Sequence, residues 1–450
     1  MIQHQHLAAA PPPPADWSVA WPALMQFWPV LAVAFGASLL LTPVMRRLAI
    51  ANGIVDLPDA RRKAHAKPVA YLGGLAIFLG WFAAVGLFVG MLLAGPGHGG
   101  LSLHAMIGAD QQTNDVMSVI LIAIGAAAIV LTGLFDDVYG MRARVKIGGQ
   151  LFAAAAIAQA RAVEDLVARS LDLLNITLPD PMMQVVGTAM IAVLVVGCCN
   201  ALNLIDGLDG LASGVTTIAM AGMLAICALV IARYADNASV VSHLGVPILL
   251  SVATIGAVAG FLPYNFNPAS IFMGDTGSLL LGYLCVTTIL FMGRLDNDAG
   301  LAPLAFSGAV ICFALPMTDT ALAIVRRKLQ GKPIFAPDAM HMHHMFRRCG
   351  LSVKQSVFCM YTLGLIFAGT GFALVALSLR WGMSMTFFGL TVLVILIVGY
   401  RVSCRLQRSE AEHPKPAEGP DNRPGKDDDA PNDTLAQTAD PAPLEPAGKA

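Results

Sequence analysis

Along this chain, apolar runs of roughly 20 residues alternate with short polar punctuation. As a helix rising about 1.5 Å per residue, each run is long enough to cross a hydrocarbon core of roughly 30 Å. The pattern predicts spans near 25–45, 71–94, 116–135, 147–160, 183–200, 211–232, 246–264, 276–293, 303–323, 357–379 and 384–403. The expected fold is an all-α integral membrane protein of about eleven transmembrane helices. The fourth run is the weakest, because polar residues begin at Gln159 and Arg161. The chain divides into an N-terminal segment over 1–24, a polytopic domain over 25–403 and a tail over 404–450. The tail is rich in Pro, Ala, Asp and Glu, with an acidic run from Asp427 to Asp429, and reads as solvated and disordered.

Composition agrees with that pattern. Of 450 residues 56% are hydrophobic and 13% charged, and the mean hydropathy of +0.68 lies outside the range of ordinary soluble domains. With the N-terminus outside, nearly all Lys and Arg fall in 46–70, 136–146, 201–210, 265–275, 324–356 and the tail. Only Arg161, Arg169, Arg233, Arg294 and Arg380 remain on the opposite side. The positive-inside rule therefore predicts an outside N-terminus and a cytoplasmic C-terminus. The first forty-five residues hold no Lys or Arg, and the run Pro11 to Pro14 is no signal-peptide core, so the N-terminus is expected to be retained. A net charge of -1 gives no bulk attraction for nucleic acid, so any anion site must be local. The eight cysteines show neither metal nor disulfide spacing and read as small buried residues.

Carboxylates are costly at membrane depth, so those kept near it face a cavity or a site. Asp136 and Asp137 end the third span, Asn200, Asn203, Asp206 and Asp209 end the fifth, and Asp275 opens the eighth. All sit at the expected cytoplasmic boundary. Snorkelling at a helix end accounts for any one of these acids but not for the set. From Asn200 to Asp209 four amide or carboxylate side chains lie three residues apart, drifting about 60° per step, so one continuous helix cannot aim them all at one ligand. Gly207 and Gly210 predict a break that turns the later acids back. So many acids beside a phosphorylated ligand imply a divalent cation, and all-oxygen donors point to Mg²⁺ or Mn²⁺ rather than zinc.

Basic groups follow: Arg142, Arg144 and Lys146 after the paired aspartates, and Arg61, Arg62, Lys63 and His65 in the first cytoplasmic loop. Membrane topology alone also places basic residues there. His341-Met-His343-His344, followed by Arg347 and Arg348, suits a phosphate better than zinc, because no Cys or carboxylate is spaced to complete a tetrahedral site. A solvated loop is the plainer alternative for this segment. Asp319 lies inside the ninth span, seven residues before Arg326 on the same face, with structural, gating and catalytic roles all open.

These residues fall into ordered blocks: Asp59-Ala-Arg-Arg-Lys-Ala-His65, Asp136-Asp137 through Lys146, Asn200 through Gly214, Phe261 through Asp275, and His341 through His344. In them the chain resembles the polyprenyl-phosphate N-acetylhexosamine-1-phosphate transferases, and within that family its undecaprenyl-phosphate N-acetylglucosamine branch. The resemblance implies transfer of N-acetylglucosamine-1-phosphate from a UDP-sugar to a polyprenyl phosphate with release of UMP. This would be the first membrane step of a cell-surface polysaccharide such as lipopolysaccharide O-antigen, in the bacterial inner membrane with the site facing the cytoplasm.

It further implies that Asn203 and Asp275 hold Mg²⁺, that Asp136 and Asp137 stand beside the prenyl phosphate, that Lys146 contacts phosphate, and that Asp206 takes part in catalysis. Phe272 and Gly207 would border the uracil, Asp209 would hydrogen-bond it, Arg61, Lys63 and His65 would bind substrate, and His341, His343 and His344 would cover the sugar and diphosphate. The UDP-sugar, the lipid, the membrane and a second copy in a homodimer are the partners expected. Another UDP-amino sugar or UDP-MurNAc-pentapeptide stays open as donor, although the His-x-His-His form favours the hexosamine branch. The alternative from another class is a transporter, which predicts acids at the midplane rather than at span ends.

Overall fold

The computed structural model describes residues 13–56, 68–94, 109–160, 178–295, 301–333 and 340–378, with single positions 389, 397 and 401. The first helices are α1 (Trp17–Met25), α2 (Trp28–Ala51), α3 (Gly73–Leu93), α4 (Ala109–Tyr139), α5 (Ala143–Gln159), α6 (Asp180–Ile205) and α7 (Leu211–Tyr234). They are followed by α8 (Ala238–Ser242), α9 (Gly245–Asn265), α10 (Gly274–Met292), α11 (Leu301–Cys312), α12 (Ala314–Leu329), α13 (Met342–Arg348) and α14 (Val353–Ala376). Between α2 and α3 lie two short strands, β1 (Val55–Asp56) and β2 (Val69–Ala70), paired antiparallel with Val55 opposite Ala70.

Eight helices among the described residues are long and apolar enough to cross a membrane, or nine if the bent pair α11 and α12 counts as one span. The chain is a multi-pass membrane protein. Two expectations change. The fourth run forms α5, whose 17 residues extend only about 26 Å, short of a full hydrocarbon core. The ninth run is not one helix: α11 and α12 meet at Phe313 with a 66° bend. Pro316 explains the break, since it has no N–H for the carbonyl of Cys312, the last residue of α11, and its ring crowds that carbonyl. The eleventh run, 384–403, and the tail lie outside the described residues save for the single positions named.

The centre of the bundle is α10, buried over 94% of its apolar stretch, whereas α2 is buried over only 28% and turns most of its apolar surface outward. Helices in lipid gain little from hydrophobic burial against one another, so close backbone approach matters. Gly256 and Gly260, four residues apart on α9, provide it. A methyl group at Gly256 would stand 2.7 Å from the Leu31 carbonyl oxygen, and one at Gly260 2.8 Å from the Leu39 nitrogen, both on α2. Buried hydroxyls bond within their own helices: Thr42, Thr287, Thr288 and Thr318 each donate to the carbonyl four residues earlier, at 2.7–2.8 Å.

The strand pair positions the site. Ala70 bridges in parallel to Ile271. The Phe272 N–H donates to the Ala70 carbonyl at 2.8 Å, and the Gly73 and Gly74 amides donate to the carbonyls of Phe272 and Met273 at 3.0 Å. The segment leading into α10 is thereby tied to the start of α3.

Candidate active site

The first turn of a helix leaves amide donors without intrahelical partners, and at α10 no local side chain takes them. Asp137, near the end of α4, takes them from across the bundle. Its Oδ1 accepts from the Asp275 N–H at 2.8 Å, while Oδ2 accepts from the Thr276 N–H at 3.0 Å and the Thr276 hydroxyl at 2.6 Å. A carboxylate at a helix N-terminus also gains from the macrodipole. Gly274 permits the approach in two ways: its φ of +65° is one that few other residues adopt, and a methyl group there would press on the Asp137 carboxylate, 2.7 Å from Cγ. Both oxygens of Asp137 are thus engaged in holding Asp275 in place.

Asp136 faces differently. Its Oδ1 accepts from the Met141 N–H at 2.7 Å, and its Oδ2 lies 2.8 Å from the Lys146 ammonium, near the start of α5. That ammonium is shared with Asp275 Oδ2, so one cation joins carboxylates from α4 and α10. Asp275 Oδ1 accepts from the Asn203 amide, in the last turn of α6, at 2.7 Å. The same amide donates to Ser278 at 2.9 Å. Asp136, Asp137, Lys146, Asn203 and Asp275, predicted from separate stretches of sequence, therefore form one contiguous cluster at one end of the bundle.

The break predicted at Gly207 and Gly210 is present. α6 ends at Ile205, and Gly210, with φ of +77°, opens α7. Asp206 stands half-buried in the turn. Desolvation, and then the charges of Asp275, Asp137 and Asp209, push its carboxyl up to about 8. Asp209 turns the other way: its Oδ2 accepts from the Asn267 amide at 2.9 Å and the Ala269 N–H at 3.0 Å, bracing the loop after α9. Asn265 braces the same junction, accepting from the Gly210 N–H at 3.2 Å and Ser213 at 2.9 Å, and Tyr361 of α14 donates to the Gly210 carbonyl at 2.6 Å. Phe272 is half-buried three residues before Asp275, its ring centroid 6.2 Å from that of Tyr71.

The histidine segment packs onto this turn. His343 is buried, and a methyl group at Gly207 would meet its imidazole, 3.1 Å from Cε1. The His343 ring stacks on His341 with centroids 6.0 Å apart and lies 4.2 Å from His344. Burial, and then the neighbouring His344, push its imidazole down to about 3, so it is neutral at pH 7. Sequence reasoning left structural, gating and catalytic roles open for Asp319. In the structure it is buried in α12, 2.8 Å from His341 Nδ1, and it accepts from the Met342 N–H at 2.7 Å. Only its isolation as a carboxylate inside a span marked it in advance. Arg61, Lys63 and His65 lie outside the described residues, as does Arg62.

Among the described residues no three His, Cys, Asp or Glu side chains form a cage for a metal. Mg²⁺ keeps several waters and is held by one or two carboxylates together with substrate phosphates. The donors fit it: Asp275 offers a carboxylate, and the Asn203 side chain spends its NH₂ on Asp275 and Ser278, leaving its carbonyl oxygen for a cation. The Lys146 ammonium between Asp136 and Asp275 shows that this spot already accommodates positive charge.

The described residues thus form a polytopic helical bundle with Asp136, Asp137, Lys146, Asn203 and Asp275 gathered at one end. The sequence model of a family described as Glycosyl transferase family 4 matches residues 119–293, from α4 through α10. The chain is 34% identical over 344 residues to the probable undecaprenyl-phosphate N-acetylglucosaminyl 1-phosphate transferase of Bacillus subtilis (strain 168), an alignment covering 75% of this chain and 83% of that one. It is 32% identical over 364 residues to the decaprenyl-phosphate N-acetylglucosaminephosphotransferase of Mycolicibacterium smegmatis, covering 79% and 83%. To the phospho-N-acetylmuramoyl-pentapeptide-transferase of Halalkalibacterium halodurans it is 29% identical over 356 residues, covering 75% and 94%. The chain belongs to glycosyl transferase family 4.

Proposed function

We propose that this chain transfers N-acetylglucosamine-1-phosphate from UDP-N-acetylglucosamine to undecaprenyl phosphate, releasing UMP, at the cytoplasmic face of the bacterial inner membrane. The observation that carries this reading is the meeting of Asp136, Lys146, Asn203 and Asp275, from four helices, at one end of the bundle. A water-borne donor and a lipid acceptor can both reach such a place. The named activities of the Bacillus subtilis and Mycolicibacterium smegmatis relatives support the choice of sugar and lipid class.

In the proposed reaction an oxygen of the lipid phosphate forms a bond to the β-phosphorus of the donor. The bond from that phosphorus to the oxygen bridging the α-phosphorus breaks, and UMP leaves with its electron pair. The sugar C1–O bond is untouched, so anomeric configuration is retained. Mg²⁺ held by Asp275 and Asn203 would serve as Lewis acid and template on the diphosphate. Lys146 neutralises phosphate charge, and Asp136 holds the ammonium and orients the acceptor. A phosphate monoester with a second pKa near 6 is already largely dianionic at pH 7, so Asp136 need not remove a proton. Asp137 keeps Asp275 in register, and the histidine segment covers the sugar diphosphate. Such catalysis rests on alignment and charge neutralisation.

The test is UMP release by purified protein given a panel of UDP-sugars with and without undecaprenyl phosphate. Release with UDP-N-acetylglucosamine that needs both lipid and Mg²⁺ or Mn²⁺ is expected. Release only with UDP-MurNAc-pentapeptide would move the chain to the activity named for the Halalkalibacterium halodurans relative, and release without lipid would refute transfer.

A further inference from the structure

We propose that Asp319 is a positioning residue that sets the tautomer of His341 and anchors the histidine segment against the acidic turn. This rests on the reading above in which that segment is part of the transfer site.

A carboxylate with 1% exposure inside a helical bundle persists only with partners for both oxygens. Those of Asp319 go to two adjacent residues of one short segment: Oδ2 to the His341 ring at Nδ1 and Oδ1 to the Met342 backbone N–H. His341 stands at the N-cap of α13 and supplies no side-chain cap, so the orphan Met342 amide depends on Asp319. A carboxylate oxygen accepts in this bond, so Nδ1 of His341 is the nitrogen that carries its proton. The His341 ring lies nearly parallel to that of His343, at 8°, and His343 rests on Gly207. Asp319 therefore reaches the Asn203-to-Asp209 turn through two stacked imidazoles. Its hydrogen bonds go to His341 and Met342 rather than to Asn203, Asp275 or Lys146, so it acts through His341. The bend at Pro316, one turn earlier in α12, is what turns this part of the chain away from the line of α11.

Asp319→Asn separates anchoring from tautomer control. The amide oxygen can still accept from Met342, but its NH₂ can only donate to Nδ1, which forces the His341 proton onto Nε2. The first measurement is ¹⁵N NMR of histidine-labelled full-length protein in detergent micelles. The Nδ1–H form is expected for His341 in the wild type and the Nε2–H form in Asp319→Asn. A wild-type His341 that is neutral with its proton on Nε2 overturns the proposal, and this readout stands even if the wild type transfers no sugar and the proposed function fails. The second is kinetic. Asp319→Asn is expected to lower kcat about 10- to 100-fold with KM for UDP-N-acetylglucosamine within about threefold, and to have no further effect in a His341→Ala background. Unchanged kcat, or losses that multiply in the double variant, would show that Asp319 does not work through His341.

Discussion

The acidic cluster and the histidine segment face the same turn but are held in opposite ways. Asp275 is fixed by its own backbone on Asp137, by Lys146 and by Asn203, so contributions from α4, α5 and α6 converge on one residue of α10. The histidine segment is tied to α12 through Asp319, whose two oxygens go to neighbouring residues of that segment. An over-determined floor keeps its shape when one contact is lost, so its variants should separate chemistry from stability. Two bonds that end on one carboxylate are removed together by one substitution at Asp319. The contrast suits a floor that positions phosphates before the donor arrives and a cover that defines the far side.

The sharpest way to break this comparison is Asp275→Asn, which keeps the shape of the side chain and removes its charge. Transfer is expected to fall by about 10³-fold or more, as when a preorganised electrostatic group is lost. The remaining contacts should hold the unfolding midpoint within a few degrees. UMP release under saturating Mg²⁺ measures the first and a melting curve the second. Near wild-type turnover with an ordinary Mg²⁺ response would remove Asp275 from the cation site.

Neighbouring aspartates sharpen it further. Asp137→Ala strands the Asp275 and Thr276 amides and the Thr276 hydroxyl, so it should cost about 2–4 kcal/mol of stability as well as activity. Asp136→Asn keeps one oxygen, enough to accept from Met141, but turns an NH₂ toward the Lys146 ammonium in place of Oδ2, and should lower turnover about 10- to 100-fold with a smaller loss of stability than Asp137→Ala. Melting curves and initial rates on both variants decide it. Equal melting points would mean that Asp137 does not cap α10, and full Asp136→Asn activity across pH 6 to 9 would exclude a general base there.

Much of this geometry was legible in the sequence, and the limits were physical. Apolar runs located most of the spanning helices, with ends off by up to seven residues, because lipid enforces length and composition. Gly207 and Gly210 announced the break after Ile205, because a continuous helix would carry Asn200 and Asp209 to opposite faces, but not that Asp209 would turn away to brace the loop after α9. The bend at Phe313 was missed although Pro316 was in view, since hydropathy does not register a lost backbone hydrogen bond. The division of labour between Asp136 and Asp137 was illegible. Adjacent residues of one type differ only in which helix each one faces, and that depends on how α4 lies against α10. Asp319 announced only its expense. Its partner His341 lies 22 residues further along the chain, and no local period links the two.

A smaller effect tests where the two regions touch. At Gly207 a methyl group would be driven into the His343 imidazole, so Gly207→Ala must push the segment away or tilt the turn. A misplacement of about 1 Å is expected to lower kcat about 10- to 100-fold while costing about 1–3 kcal/mol. Should Gly207→Ala keep full activity, the histidine segment would not need to rest on the turn during transfer.

The smallest effect is thermodynamic and has opposite signs in the two regions. Asp206 is pushed up to about 8 from an ordinary 3.8, so the folded protein holds a proton there that the unfolded chain releases. That stability is fully present below pH 3.8 and is lost as pH rises through about 8. His343 is pushed down to about 3 from 6.5, so its contribution is present above pH 6.5 and is lost as pH falls toward 3. Acid therefore strengthens the turn and weakens its cover. In chelator, Asp206→Asn is expected to raise the melting midpoint by about 2–4 °C at pH 8 and to leave it unchanged near pH 4. Added Mg²⁺ should erase the gain, because a bound cation stabilises the ionised carboxylate that the variant lacks. His343→Gln should instead flatten the acid limb between pH 6.5 and 4. If the Asp206→Asn gain were equal at both pH values, crowding of carboxylates would not be its source, and the acidic turn would be held by packing alone.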